Sequence, residues 1–213
     1  MSAKRYLAIE TSSPRLSLAV GDETRVLGSY VGSQDWRHAE NLFGGIEKLL
    51  RRVGWPVRTV SGVAVTVGPG SFTGIRIGLA VARALGQSLK IPVVGVSSLE
   101  VMAAGAKTRA AYLAPQIDAL RGQIFTALFE KNGSGNLKRI VPEVMDYPAE
   151  WKRNIKKHTG SKEIWISGLQ GCYPDARVLL TLARPRLAQA KADSYKFVLP
   201  LYIRHASAIE RQR

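Results

Sequence analysis

The sequence predicts an α/β protein of two related domains, each a mixed β-sheet covered by helices. In residues 1–100, three short strand patterns precede alternating helices and strands, which is the order of a mixed sheet with helices on its faces. Residues 110–190 begin that order again, with three strands, a helix, a strand and a helix. The repeated order predicts two copies of one unit at low sequence identity.

The first half opens with three predicted strands, at residues 5–10, 16–20 and 25–31, joined as an antiparallel meander. Ser33 or Asp35 is the predicted N-cap of the helix that follows, which runs to Val53. Apolar residues recur along this helix with the 3.6-residue period that predicts one buried face. They are Ala39, Leu42, Phe43, Ile46, Leu49, Leu50 and Val53.

The central stretch combines a strand, a glycine turn and a helix. Residues 63–67 form a continuous apolar run, which predicts a strand buried on both faces. Ser71 is the predicted N-cap of the next helix. On that helix small residues recur every four positions and share one face, and they are Gly70, Gly74, Gly78, Ala82 and Gly86. Because glycine in a helix costs about 0.5–1 kcal/mol against alanine, so many glycines on one stripe indicate that something packs very close to this backbone.

Two interpretations of this glycine stripe compete. An anion site at the helix N-terminus would use the turn at 68–74, but that turn has neither the G-x-G-x-x-G pattern nor a P-loop lysine. An anion site also leaves the glycines further along the helix unexplained. The pattern therefore favours a packing face, and the spacing leaves open whether its partner lies in this chain or in another protein.

The remaining elements complete the two domains. After a strand at 91–96, Ser97 or Ser98 caps a short helix. The second half is predicted to hold strands at 112–118, 123–130, 137–144 and 163–167, a hairpin loop at 132–136, and helices at 148–158 and 177–190. We place one domain at residues 1–105 and the other at 106–213, with the last segment packing back on the first domain.

The charge, the cysteine content and the lengths of the apolar stretches limit the kinds of partner and location that fit this protein. The net charge of +15, from 31 Lys+Arg against 16 Asp+Glu, favours nucleic acid or another polyanion as a partner. It fits equally a protein that is basic for solubility or that binds an acidic protein. Cys172 is the only cysteine, which excludes an intramolecular disulfide and fits a cytoplasmic location. No apolar stretch has the length of a signal peptide core or a membrane span.

Few residues offer catalytic chemistry. The three histidines, His38, His158 and His205, provide no pair at i, i+3 or i+4 spacing, so a metallopeptidase is not expected. Ser71 does not lie in the G-x-S-x-G turn of a serine hydrolase. Glu10 and Asp118 each end the first strand of a half, where paired acids suit Mg²⁺ on a nucleotide. Local hydrogen bonds to the following turn are the favoured alternative for both acids.

Six segments together resemble the TsaB (YeaZ) family of bacterial tRNA threonylcarbamoyladenosine biosynthesis proteins. The resemblance spans almost the whole chain, and the block Gly-Pro-Gly-Ser-Phe-Thr-Gly-Ile-Arg-Ile-Gly at 68–78 is its most specific part. The other segments lie in family order at 7–12, 38–40, 93–99, 118–123 and 200–204.

The resemblance implies two ribonuclease-H-like domains of the actin-like ATPase fold. It also implies a non-catalytic scaffold subunit, not a peptidase, that binds the paralogue TsaD and acts with TsaE. That complex transfers a threonylcarbamoyl group to the adenosine next to the anticodon of tRNAs reading ANN codons. The resemblance further implies a homodimer when the chain is alone. ATP and metal belong to the partner subunits, and no cofactor is expected on this chain.

The resemblance implies a partner interface on the first two long helices, here residues 35–53 and 72–89. The expected interface residues are His38, Glu40, Leu42, Ile46, Ser71, Phe72, Gly74, Ile75, Gly78 and Ala82. The stripe is then interpreted as the place where the partner's helices come close. On this hypothesis, Gly78→Leu abolishes the heterodimer and leaves the monomer folded.

The sequence departs from the family pattern at three points. Glu10 stands where the family commonly has Asp, and Ser-Gly-Leu at 167–169 replaces a Gly-Asp-Gly-like turn, which weakens nucleotide binding. The charge of +15 is higher than expected for the family and favours direct tRNA contact. Candidate contacts are Lys152, Arg153, Lys156, Lys157 and Arg204. The alternatives are an ATP-dependent kinase of the same fold and a basic RNA-binding module.

Overall fold

The computed structural model describes residues 3–32, 38–133, 135–169, 171–192 and 194–203. The strands are β1 Tyr6–Glu10, β2 Ser17–Gly21, β3 Val26–Val31, β4 Gly62–Thr66, β5 Val93–Val96, β6 Tyr112–Ala114, β7 Gln116–Leu120, β8 Gln123–Lys131, β9 Leu137–Asp146 and β10 Ile164–Ile166. The helices are α1 His38–Arg52, α2 Phe72–Leu89, α3 Ser98–Gly105, α4 Pro148–Thr159 and α5 Ala176–Gln189. None of the described helices is long and apolar enough to cross a membrane.

The first sheet has the strand order β3-β2-β1-β4-β5. The predicted meander is confirmed, since β1, β2 and β3 pair antiparallel, while β1, β4 and β5 pair parallel. Every residue of β1 and β4 is buried, as the continuous apolar run predicts. Leu7 and Ile9 pack into the core beneath α1 and α2, while Tyr6 and Ala8 pack with α5 on the other face.

The second sheet is built around β8. Strands β6 and β7 both pair antiparallel with β8 on one side, and β9 pairs antiparallel with β8 on the other. The single strand expected at 112–118 is therefore two strands that break at Pro115, which has no N–H to donate to a ladder. Strand β10 pairs parallel with β6. The order β9-β8-β6-β10 thus repeats the order β3-β2-β1-β4 of the first sheet.

Helix α5 belongs with the first sheet. The predicted helix at 177–190 is present, with Asp175 as its N-cap, and its buried residues include Leu179, Leu180 and Ala183. These side chains pack on β1, β2 and β4. The apolar pattern of a helix predicts that one face is buried, but it does not predict which sheet covers that face.

The chain forms two compact units. The first contains Met1–Val101 and Pro174–Leu201, and the second contains Met102–Tyr173 and Tyr202–Arg213. In the first unit, the segment 194–201 runs along the edge strand β5. There the hydroxyl of Ser194 donates to the Val93 carbonyl and accepts from the Val93 amide, both at 2.9 Å. A covered edge strand has fewer open backbone groups for unwanted pairing with other chains.

Candidate protein-binding face and the turn beneath it

Helices α1 and α2 cover one face of the first sheet. The buried face of α1 carries Leu42, Ile46, Leu49 and Leu50. Ser71 is the N-cap of α2, and its hydroxyl accepts a hydrogen bond from the Gly74 amide at 3.1 Å, which confirms the predicted cap. The expected caps of α1, Ser33 and Asp35, lie outside the described residues.

The glycine stripe of α2 points into the protein. A Cβ atom on Gly70 would overlap the Ser12 carbonyl oxygen, and one on Gly74 would overlap the Thr11 carbonyl oxygen. A Cβ on Gly78 would overlap the Thr11 hydroxyl. The backbone that comes close is therefore the β1–β2 turn of this same chain. The hypothesis that Gly74, Gly78 and Ala82 admit a partner's helices is wrong, because all three are buried.

This correction changes what the Gly78→Leu variant tests. A leucine at this position displaces the β1–β2 turn and disturbs the fold of the chain itself. Loss of a heterodimer in that variant would not locate an interface.

The β1–β2 turn is held by the fully buried carboxylate of Glu10. Its Oε1 accepts hydrogen bonds from the Ser12 amide at 2.6 Å, from the Ser12 hydroxyl, and from the Thr66 hydroxyl at 3.3 Å. Its Oε2 accepts from the Ser13 hydroxyl at 3.1 Å. The Ser98 hydroxyl donates to Ser12 Oγ at 2.8 Å, which ties α3 to the same cluster. Glu10 thus bonds the turn that follows it.

Helix α1 joins this cluster through His38. The His38 ring is buried, and its Nε2 lies 2.8 Å from the Ser13 carbonyl oxygen. A histidine at the start of α1 therefore fixes the helix to the turn from inside the protein. The expected interface position for His38 is wrong for this reason.

Burial raises the pKa of Glu10 to about 7, although hydrogen bonds from Ser12, Ser13 and Thr66 each act to lower it. Desolvation is the larger effect, since no solvent reaches the carboxylate. The four donors around Glu10 all come from this chain, and a metal ion would have to displace them. The geometry therefore does not fit Mg²⁺ coordination.

Asp118 offers no counterpart to Glu10. It is exposed in the second unit, and its Oδ1 accepts a hydrogen bond from the Leu120 amide at 2.8 Å, within a tight turn. Among the described residues, no group of three or more His, Cys, Asp or Glu side chains is arranged to hold a metal.

The outward face of α1 and α2 combines exposed aromatic side chains with charged ones, such as Glu47 and Arg83. Phe43 on α1 is 68% exposed and Phe72 at the start of α2 is 58% exposed. Arg76 stacks over the Phe72 ring, with its guanidinium carbon 3.7 Å from the ring centroid. A groove of about 630 Å³ lies between the two helices and the segment after α1. The apolar side chains that line it are Phe43, Ile46, Leu50, Trp55, Pro56, Val57, Val81 and Leu85.

This face differs from the one expected from the sequence. Of the expected interface residues, Glu40 and Phe72 are exposed and Ser71 is half-buried. The others are buried, and they are His38, Leu42, Ile46, Gly74, Ile75, Gly78 and Ala82. Of these, Ile46 also lines the groove. Several exposed residues of these helices are absent from the expected interface, among them Phe43, Gly44, Ala80 and Ala84. The apolar period of α1 predicts that Phe43 is buried, but its side chain lies just outside the buried arc of the helix.

The structure describes four of the five residues that are expected to contact tRNA. Lys152, Arg153, Lys156 and Lys157 are all exposed on α4. Arg204 and the tail beyond it, including His205, lie outside the described residues.

Comparison with known proteins agrees with this architecture. A family model described as TsaD, tRNA N6-adenosine threonylcarbamoyltransferase, matches residues 25–169. The chain is 36% identical over 152 residues to the tRNA threonylcarbamoyladenosine biosynthesis protein TsaB of Bacillus subtilis (strain 168), covering 71% of this chain and 66% of that protein. It is 26% identical over 223 residues to the TsaB of Escherichia coli (strain K12), covering 94% and 95%.

The solved structure of YeaZ from Pseudomonas aeruginosa superposes with a TM-score of 0.75 at 26% identity, covering 94% of this chain and 100% of that one. Two mixed sheets covered by helices, with a repeated strand order, define a protein of the actin-like ATPase type of fold. The chain belongs to the TsaB (YeaZ) family, within the wider group of TsaD-related proteins.

Proposed function

We propose that this chain is the non-catalytic scaffold subunit of a tRNA threonylcarbamoyladenosine synthesis complex in the cytoplasm. In this proposal it binds a TsaD protein, acts with TsaE, and leaves ATP, metal and catalysis to those partners. Its action lets the threonylcarbamoyl group reach the adenosine next to the anticodon of tRNAs that read ANN codons. The relatives' names support the pathway, and the exposed face of α1 and α2 supports the scaffold role.

The proposed occupant of this face is TsaD. The TsaD family model matches a region of this chain that includes both α1 and α2, so the two proteins share these helices. Homologous helices allow a pseudo-twofold pairing, in which each protein offers the same kind of face to the other. Exposed aromatic side chains beside an apolar groove are the anchors that such interfaces favour. A homodimer of the free chain would use the same face.

The interface is tested by Phe43→Glu. The substitution removes an exposed aromatic anchor and places a charge at the groove, and we expect about a 30-fold or greater loss of TsaD affinity. Isothermal titration calorimetry with purified TsaD measures it. Phe197→Glu is the matched control, because Phe197 is 76% exposed and lies outside α1 and α2. Equal affinities for the two variants would place the interface elsewhere.

The role itself is tested by threonine incorporation into tRNA. The reaction contains TsaD, TsaE, the enzyme that makes threonylcarbamoyl-AMP, ATP, bicarbonate and labelled threonine, with and without this chain. We expect label in tRNA only when the chain is present. Equal labelling without it, or no labelling where another TsaB restores activity, would overturn the scaffold role.

A further inference from the structure

Helix α4 is fixed to the second sheet by one narrow face. Trp151, Ile155 and Thr159 are its buried residues, spaced four apart, and they pack against β8 and β9. The helix therefore cannot rotate to change which side chains it exposes. Its opposite face is fixed toward solvent.

Beyond its first turn, which contains the exposed acid Glu150, that solvent face carries only positive charge. Lys152, Arg153, Lys156, Lys157 and His158 are all exposed, and no acidic residue lies between Trp151 and Lys162. None of these five side chains makes an ion pair within the parts of the chain that the structure describes. Lysine and arginine side chains at i, i+4 spacing, such as Lys152 and Lys156, repel each other.

Helix polarity accounts for only part of this pattern. Cations near a helix C-terminus are favourable, which explains Lys156, Lys157 and His158 in the last turn. Lys152 and Arg153 lie nearer the N-terminus, where the helix dipole gives them no such benefit. A polyanion that binds along the helix accounts for the cations in both parts of it.

Further cations gather at the end of the second sheet to which the C-terminus of α4 leads. Lys162 follows α4 closely, and its ammonium lies 5.5 Å from the centroid of the Tyr112 ring at the start of β6. Strand register places Lys138 at the same end, since Lys138 pairs with Glu130 and Glu130 pairs with Tyr112. Glu130 and the exposed Glu163 are the acids at this end. Glu130 and Glu163 balance Lys162 and Lys138, so the excess of positive charge lies on α4 itself.

We infer that the outward face of α4 binds the phosphate backbone of RNA, with tRNA as the substrate. The choice of tRNA rests on the proposed function, while the binding surface rests on charge and geometry alone. Lys152, Arg153, Lys156 and Lys157 contact phosphates, which fixes the position of the RNA without reading its sequence. The partner subunits then act on an RNA that this chain helps to hold.

The test compares two variants of the full chain, each with four charges removed. The α4 variant carries Lys152→Gln, Arg153→Gln, Lys156→Gln and Lys157→Gln. The control carries Lys4→Gln, Arg25→Gln, Arg58→Gln and Lys191→Gln, which are exposed positions in the first unit. Fluorescence anisotropy with unmodified tRNA gives Kd as a function of salt. Co-elution with TsaD is measured separately on the same proteins.

Each phosphate contact contributes roughly 0.7–0.9 to the slope of log K against log salt. We expect the magnitude of that slope to be about 3 smaller for the α4 variant than for the wild type. When salt is raised from about 50 to 200 mM, the loss of tRNA affinity is therefore about 10²-fold smaller for the α4 variant than for the wild type. The control variant keeps most of the wild-type slope. The α4 variant still co-elutes with TsaD, which separates this inference from the proposed interface.

Three results would overturn the inference. The first is that the wild-type chain does not bind tRNA. The second is that both variants lose the same amount of slope, which would mean that net charge, and not α4, accounts for the binding. The third is that the α4 variant still binds tRNA but no longer binds polyglutamate, which would mean that the outward face of α4 binds an acidic protein. In each case the TsaD titration and the threonine assay still test the scaffold role independently of these results.

Discussion

Gly74→Ala is expected to lower the free energy of unfolding by about 3 kcal/mol or more, at the upper end of overpacking effects. The new methyl group would overlap the Thr11 carbonyl oxygen, which is backbone. Backbone atoms of a buried turn cannot move aside as the end of a flexible side chain can. Glu10 holds that turn through Ser12 and Ser13, so displacement of Thr11 also strains the buried hydrogen bonds.

The matched control for this prediction is Gly44→Ala. Gly44 is exposed within α1, and no atom lies within 4 Å of a Cβ built on it. Alanine is the better helix former, so this variant should gain about 0.5–1 kcal/mol. Urea denaturation followed by circular dichroism compares both with the wild type. If Gly74→Ala is as stable as Gly44→Ala, the close approach between α2 and the turn is not required for folding.

The second large effect is a loss of stability of the first unit as the pH rises, caused by Glu10. The folded pKa of about 7 exceeds the ordinary value of 4.5 because the carboxylate is buried. The folded state therefore binds more protons than the unfolded state between these two values. This contribution is fully present below pH 4.5 and is lost as the pH rises through 7. Between about pH 5 and pH 8 the expected loss is about 2–3 kcal/mol.

The variant Glu10→Gln isolates this effect, because it cannot ionise. We compare the change in unfolding free energy between pH 5 and pH 8 in wild type, Glu10→Gln and Glu163→Gln, whose carboxyl is exposed. Glu10→Gln should lack the 2–3 kcal/mol fall whatever its absolute stability, and Glu163→Gln should keep it. Parallel pH profiles for wild type and Glu10→Gln would show that Glu10 stays charged in the folded protein.

The two predictions concern one small region. The β1–β2 turn contacts Glu10 from within, His38 at the start of α1, and the glycines of α2. Both helices of the proposed TsaD face thus rest on this turn. Variants that disturb the turn are therefore poor probes of the interface, whereas Phe43→Glu alters only the outer surface.

Much of the fold follows from local sequence. Strands β1 to β5, the Ser71 cap and helices α2 to α5 lie within a few residues of their predicted bounds. Apolar period, capping and turn chemistry act between near neighbours, so a short window of sequence contains them. The split at Pro115 was also visible in principle, since proline cannot donate to a ladder.

The functional face was less predictable, for a physical reason. The sequence alone determined the family resemblance, the alternation of helices and strands, and the presence of a close-packed stripe on α2. Only the tertiary structure decided that Thr11 and Ser12 fill this stripe, that Phe43 faces outward, and that α5 covers the first sheet. Periodicity defines which residues share a face of a helix. What that face meets depends on residues far away in the chain, brought together by the sheet.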